Sequence, residues 1–265
     1  MPSSALFTIV QNETVFLPHW ARYYCRPGET FEPCDVYVLD HQSAGDGWTV
    51  LRDMQQLYGF NVIPVQHMHS YDDPWLTQTV RTFQEFLLQS YDVVTFAAAD
   101  EFLLTPGAGG LAELLATPQW QHLRASGYEV VHYRDVEAPL DTSQEVMPQR
   151  SWWYPTKRYS KTLIAKHRIY WDPGFFTACN VVPDEEPESS LLLLHLHRVD
   201  YDLCLRRHRE VAAREWAPDM FQRGAFRHNL IEDPVMLDTW LRCNADDTAT
   251  YASLARIPAW IKEVF

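Results

Sequence analysis

Short apolar runs alternate with longer amphipathic ones over the first hundred positions of the chain. Residues 5–10 (ALFTIV) form a β-rich run that stops at the polar Gln11, Asn12 and Glu13. Thr14 can cap a helix in which Phe16, Leu17, Trp20, Tyr23 and Tyr24 make one apolar stripe, with Pro18 tolerated in the first turn. Residues 35–40 (DVYVLD) predict a second strand, 41–47 a polar turn, and 48–58 a helix closed by Gly59. Residues 61–65 (NVIPV) predict a third strand. Asp73 and Pro74 read as the N-cap and first residue of a helix to about Ser90, with Leu76, Val80, Phe83 and Leu87 on its buried face. Residues 92–97 (DVVTFA) complete a fourth strand.

These strands are apolar nearly throughout, as parallel strands covered on both faces are. Strand–helix–strand units in series imply right-handed crossovers and a doubly wound sheet, whose ligands bind outside the carboxyl ends of the strands. The polar groups at those ends are Gln11, Asn12 and Glu13, then Asp40, then Asp100 and Glu101. The second half is less regular. Strands are expected at 128–133, 162–165, 175–182 and 191–197, with a Trp/Tyr/Pro-rich connection at 148–160 and a loop at PDEEPESS. From Tyr201 the chain reads as mainly helical. The expected organisation is one α/β domain: residues 1–200 form the core and 201–265 a helical extension packed on it.

Composition narrows the function classes. The 265 residues are 46% hydrophobic and 22% charged, ordinary for a globular domain, and the net charge of −13 opposes a nucleic-acid partner. Eighteen of the 22 basic residues are Arg, which suits bidentate phosphate contacts. The five cysteines are odd in number and contain no CxxC pair, so they predict neither a disulfide framework nor a zinc ribbon and fit a reducing, cytoplasmic setting. The opening residues show no secretory signal and no run is long enough to span a bilayer, although a lipid-linked acceptor would bring the protein to a membrane surface. No nucleophile elbow, Walker P-loop or dinucleotide fingerprint is present, which argues against hydrolase, P-loop ATPase and dehydrogenase chemistry.

Several segments resemble family 2-like glycosyltransferases. TIVQNETVFLPHWARYY looks like that family's first strand, polar N-E and following helix; DVYVLDHQSAGDG resembles its second strand and Asp-containing turn. YDVVTFAAADEFLL is similar to its D-x-D-E-F strand end, and SKTLIAKHRIYWDPGFFTA to a downstream segment ending in G-F-H. The resemblance covers roughly residues 5–200. It implies a GT-A-type, Rossmann-like mixed sheet flanked by helices, a nucleoside-diphosphate sugar donor, and a divalent cation, Mn or Mg. The acceptor would be a hydroxyl on a glycan, lipid-linked or small-molecule substrate. Carried over by motif, Asp40 and Gln11 to Glu13 would contact the donor nucleoside, and Asp100 its diphosphate or the metal. The chain departs from the pattern in the spacing to Asp46, one residue longer, and lacks two polar groups: Ala98 stands at the first Asp of D-x-D, and Phe176 at the His of G-F-H.

Three readings follow from those departures. The metal can be held by Asp100 with His195 or His197, which are two apart in HLHRVDYD. Arg or Lys can replace the metal at the diphosphate, with Arg198 and Arg81 as candidates and Lys161 and Lys166 behind them. Or the chain binds a nucleotide sugar or a partner without catalysis. A nucleotidyltransferase is a more distant reading. For transfer, Asp200, Asp202 or Glu101 would serve as the base, although Asp200 also reads as the cap of the helix starting near Tyr201. Trp152, Trp153 and Tyr154 could form an acceptor platform.

Overall fold

The computed structural model describes residues 2–26, 30–106, 110–117, 119–181, 188–218, 220, 230–231, 233–242 and 254–265. Four parallel strands form one half of a ten-stranded sheet: β1 (Ser4–Val10), β2 (Val36–His41), β3 (Asn61–Val65) and β4 (Val93–Phe96), in the order β4-β1-β2-β3. The crossovers carry α1 (Phe16–Tyr24), α2 (Gly45–Tyr58) and α3 (Asp73–Leu87). β1 and β4 are almost wholly buried, which is why their sequences carry no polar alternation. The other half of the sheet is largely antiparallel. It contains β5 (Glu101–Leu104), β6 (His122–Val130), β7 (Trp152–Pro155), β8 (Thr162–Ala165), β9 (Glu188–His195) and β10 (Ala255–Arg256). The remaining described helices are α4 (Gly110–Ala116), α5 (Tyr201–Ala212), α6 (Pro234–Arg242) and α7 (Ala259–Val264). The chain is thus a mixed α/β sheet flanked by helices, with helices prominent after residue 200. No described helix is long and apolar enough to cross a membrane.

Several local expectations need correction. Glu13 rather than Thr14 supports the start of α1: its Oε1 accepts from the N–H groups of Val15 and Phe16 at 3.1 and 2.9 Å. Asp72 caps α3, accepting from Trp75 N–H at 3.0 Å, so Asp73 is released from that task. The buried face of α3 is rotated toward Asp73, Thr77, Val80, Gln84 and Leu87, while Leu76 and Phe83 are half-buried. Polar Gln84 is tolerated there because its Oε1 accepts the Ile169 N–H at 2.8 Å.

The run at 175–182 is not a strand. Gly174 and Phe175 both take positive φ, 85° and 62°, in a tight turn, and Val182 lies outside the described residues. Within PDEEPESS, residues 183–187 also lie outside them, and β9 already begins at Glu188. β9 ends at His195, so His197 sits in the turn beyond it rather than on the strand. The Trp-rich connection contains β7, where Trp153 stacks on Tyr128 at 4.1 Å and Arg256 covers Trp152 at 4.0 Å. Of the expected C-terminal helical stretch, residues 221–229 and 243–253 are outside the described set, as is Cys243; the other four cysteines are free thiols.

One close approach fixes the entrance to α2. A Cβ on Gly47 would lie 2.5 Å from the Asn12 Cα, and Asn12 itself holds positive φ while its Oδ1 accepts the Ala44 N–H. Backbone cannot yield there as a flexible side chain does. Gly47→Ala is therefore expected to cost about 1–3 kcal/mol of stability, read as a lower urea midpoint with unchanged slope.

Candidate functional site

The carboxyl ends of β1, β2 and β4 open into one cleft of about 310 Å³. Gln11, Asn12 and Glu13 follow β1, His41 ends β2, and Ala98, Ala99 and Asp100 follow β4. The opposite wall comes from α5 and the residues after it, through Leu203, Arg206, Arg207, His208, Glu210, Val211 and Arg214. These positions recur at helical spacing, so one face of α5 points inward. The start of α3 and the Phe175 turn close the remaining side.

Asp100 and His197 line this cleft, and His195 lies beside them, outside the lining; each of the three offers one ligand atom within 4.8 Å of the others. Strand pairing brings them together. His195 lies opposite Glu101 on β5 and opposite Glu129 on β6, and Leu196 N–H donates to the Asp100 carbonyl at 3.0 Å. Glu129 is fully buried. Its Oε2 accepts from His195 Nδ1 at 2.6 Å and its Oε1 from the Arg198 N–H at 2.9 Å. This leaves Nε2 as the ring nitrogen that Glu129 does not hold, the arrangement that second-sphere carboxylates give metal-bound histidines. His197 is held in turn against His208, with 3.1 Å between their Nε2 atoms. One carboxylate and two imidazoles suit a divalent transition cation, so the residues present fit such an ion.

Arg207 spans the site, 3.4 Å from Glu13 Oε2 and 3.5 Å from Asp100 Oδ2. Burial works against its charge, but Glu13 and Asp100 outweigh that and raise its pKa. For Asp100, burial pushes the carboxyl up, while His195, Arg207 and Lys161 more than reverse the effect and hold it below its usual range. Burial lowers His195, but the charge and hydrogen bond of Glu129, then Asp100, win, so the imidazole is raised.

Among the described residues, four buried polar atoms of the cleft have no hydrogen-bond partner: Gln11 Oε1, His41 Nε2, Asp73 Oδ2 and Arg207 Nη1. Buried polar groups are normally satisfied, so four around one cavity mark a place where a polar ligand or water supplies the missing bonds. Asp73 is 8% exposed. Its carboxyl is pushed up to about 7, first by burial and then by neighbouring Asp72.

The remaining sequence candidates fall elsewhere. Asp40 is buried beneath the β2–α2 turn, accepting from Ser43 N–H at 3.0 Å, and does not line the cleft. Glu101 is locked to Lys161 at 2.5 Å in a buried pair. Asp200 caps α5 through Leu203 N–H and also holds Leu140 N–H and Arg150, so both its oxygens are engaged. Asp202 is exposed on the first turn of α5. Arg198 lies over the Trp240 ring at 3.9 Å and donates to its carbonyl. Arg81, on α3, and the Trp152–Tyr154 segment also lie outside the cleft lining. Lys166 covers Trp120 at 3.9 Å.

Sequence reasoning missed Arg207, Arg214, Glu129 and Asp73. The arginines could have been found from the helical phase Leu203–Arg207–Arg214. Glu129 was visible as a lone charge inside an apolar strand, YEVVHY. Asp73 was hidden by the ambiguity of two adjacent capping residues.

No protein-family profile and no curated protein matches the chain. Among solved structures it is similar to the mannosyltransferase PcManGT from Pyrobaculum calidifontis, in complex with GDP-Man and Mn2+. The identity is 13% and the TM-score 0.38, over 80% of this chain and 62% of that one. It is also similar to S. aureus TarS 1–349, at 13% identity and TM-score 0.34, over 81% of this chain and 67% of that one. This chain therefore spans less than two thirds of the mannosyltransferase's length.

The raised Asp73 carboxyl has a stability consequence. Its folded pKa, about 7, exceeds the 3.8 usual for a free aspartate, so the folded state binds the proton more tightly. Stability from this group is complete at low pH and is lost as pH rises from about 4 to 7, by up to roughly 4 kcal/mol. Asp73→Asn removes the titration. The melting temperature of the variant, minus that of the wild type, is expected to be larger at pH 8 than at pH 4; equal differences would contradict the assignment.

Proposed function

We propose that the chain transfers a sugar from a nucleoside-diphosphate sugar to an acceptor hydroxyl, with Asp100, His195 and His197 holding a divalent cation. The observation that supports this reading is the convergence of those three residues, His195 held by Glu129, at a cleft lined by Asp100 and His197 at the strand ends. A cation bound there supplies positive charge to the diphosphate leaving group. Arg207 and Arg214 add fixed positive charge on the facing wall, where guanidinium groups can take phosphate oxygens. Gln11, with its unsatisfied Oε1, is the member of the Gln11–Glu13 cluster best placed to receive a donor N–H or O–H from the nucleoside. Asn12 instead holds the β2–α2 turn through Ser43 and Ala44. Glu13 serves α1 and Arg207.

A second reading, binding without transfer, is favoured by one observation. Asp200, Asp202 and Glu101, the carboxylates that the sequence offers as base, all lie outside the cleft or are locked in ion pairs.

Thermal melting with UDP, GDP and their sugar conjugates, each with and without Mn2+, separates the readings when paired with an assay for released nucleoside diphosphate. The expected result is an Mn2+-dependent rise with at least one nucleotide, with slow release from the matching donor. Asp100→Ala should abolish the Mn2+-dependent rise, and Glu129→Gln should weaken Mn2+ binding by about 10–100-fold while leaving the fold intact. Binding without release selects the second reading, and no shift with any nucleotide overturns both.

A further inference from the structure

We propose that Asp73 is the base of the site, taking the proton of the acceptor hydroxyl as that oxygen attacks the donor sugar. The proposal rests on the transferase reading above. Its argument is an elimination among the carboxylates that line the cleft within the described residues: Glu13, Asp72, Asp73, Asp100 and Glu210. Glu13 spends one oxygen on the start of α1 and the other on Arg207. Asp72 caps α3 with Oδ1, and its Oδ2 lies 3.6 Å from His67 Nε2. Asp100 pairs with Arg207 and belongs to the proposed metal triad. Glu210 is exposed and lies 3.9 Å from Arg206 on its own helix. Asp73 alone among the five has a buried oxygen, Oδ2, with no partner.

The surroundings suit a base. Gly174 and Phe175 hold consecutive left-handed conformations, which is costly for Phe and common where strain positions a functional group. That turn brings the Gly174 N–H to the Asp73 carboxylate. Phe175 packs on Phe96 at 4.8 Å and on Trp171 at 5.9 Å, adding apolar surface to the cleft. The charged groups that act on Asp73 are Asp72, on its own helix, and Lys161, which is already paired with Glu101. Burial and Asp72 bring the carboxyl to about 7, where a base is strong enough to accept a proton yet ionised near neutrality.

The step balances without any further reactant. The acceptor O–H bond breaks and its proton passes to the Asp73 carboxylate. The acceptor oxygen bonds to the anomeric carbon as the bond from that carbon to the diphosphate oxygen breaks. The electron pair leaves on the diphosphate, and the configuration at the carbon is inverted.

The test compares wild type, Asp73→Asn and Asp73→Glu, using Mn2+, UDP and GDP as binding probes and nucleoside-diphosphate release from the UDP- and GDP-sugars as turnover. Asp73→Asn is expected to bind Mn2+ and nucleotide within about twofold of wild type, which also establishes that it folds. Its release rate should fall at least about 100-fold, and the rise of rate with pH through about 7 should disappear. Asp73→Glu, retaining a carboxylate, should keep a pH-dependent limb at reduced rate. Release by Asp73→Asn within threefold of wild type, or an unchanged pH limb, overturns the role of Asp73 and leaves the transferase reading standing. Wild-type binding without release overturns the transferase reading, and the role of Asp73 falls with it.

Discussion

The site depends on the register of three strands. His195 on β9 is flanked by Glu101 on β5 and by Glu129 on β6, so a single rung of the sheet aligns three ionisable side chains. Each solves its burial differently. Glu101 takes Lys161, and Glu129 takes His195 and a backbone N–H. A slip of one residue in β9 would exchange His195 for Leu194 or Leu196 and turn the histidine to the other face. It would also leave Glu129 buried without its imidazole partner, an unsatisfied buried carboxylate oxygen that costs stability. The polar pairings therefore specify the register that the apolar run LLLLHL leaves open.

The parallel half of the sheet was legible because local rules suffice there. Apolar runs, amphipathic helices and terminating polar residues put β1 to β4 within a few residues of their observed limits, and they put Gln11–Glu13 and Asp100 at one crevice. The antiparallel half depends on long-range pairing. β5 is four residues long and immediately follows the turn after β4, so its partner β9, some ninety residues on, defines it. The segment 175–182 has strong β composition, yet the left-handed turn at Gly174 and Phe175 breaks it. Asp40 and Asp200 illustrate the corresponding limit for sites. An acidic residue at a strand end or helix start can face a ligand or tie down its own backbone; Asp40 takes the Ser43 N–H, and Asp200 takes the Leu203 N–H together with Leu140 and Arg150.

Charge inside the cleft is arranged in opposed walls. Arg207 reaches Glu13, which follows β1, and Asp100, which follows β4, while Asp73, on α3, takes no part in that pairing. Arg207 keeps one nitrogen unsatisfied even with two carboxylates nearby. Such incompletely satisfied groups reduce the stability of the empty fold and strengthen the attraction for a ligand that completes them. Stability and binding thus draw on the same atoms.

Ala98 can be understood in these terms. Its backbone N–H donates to Glu101 Oε2 at 3.2 Å, and the same carboxylate holds Lys161, so the backbone at 98 already has a task. A carboxylate side chain at 98 would add a third negative charge beside Glu101 and Asp100. In the proposed metal site the imidazoles of His195 and His197 donate without adding negative charge. One carboxylate and two neutral ligands leave a divalent cation with net positive charge, whereas two carboxylates would cancel it. Under the proposed transfer reaction, attraction for a diphosphate would come from the ion together with Arg207 and Arg214, and the absence of an acid at 98 would favour it.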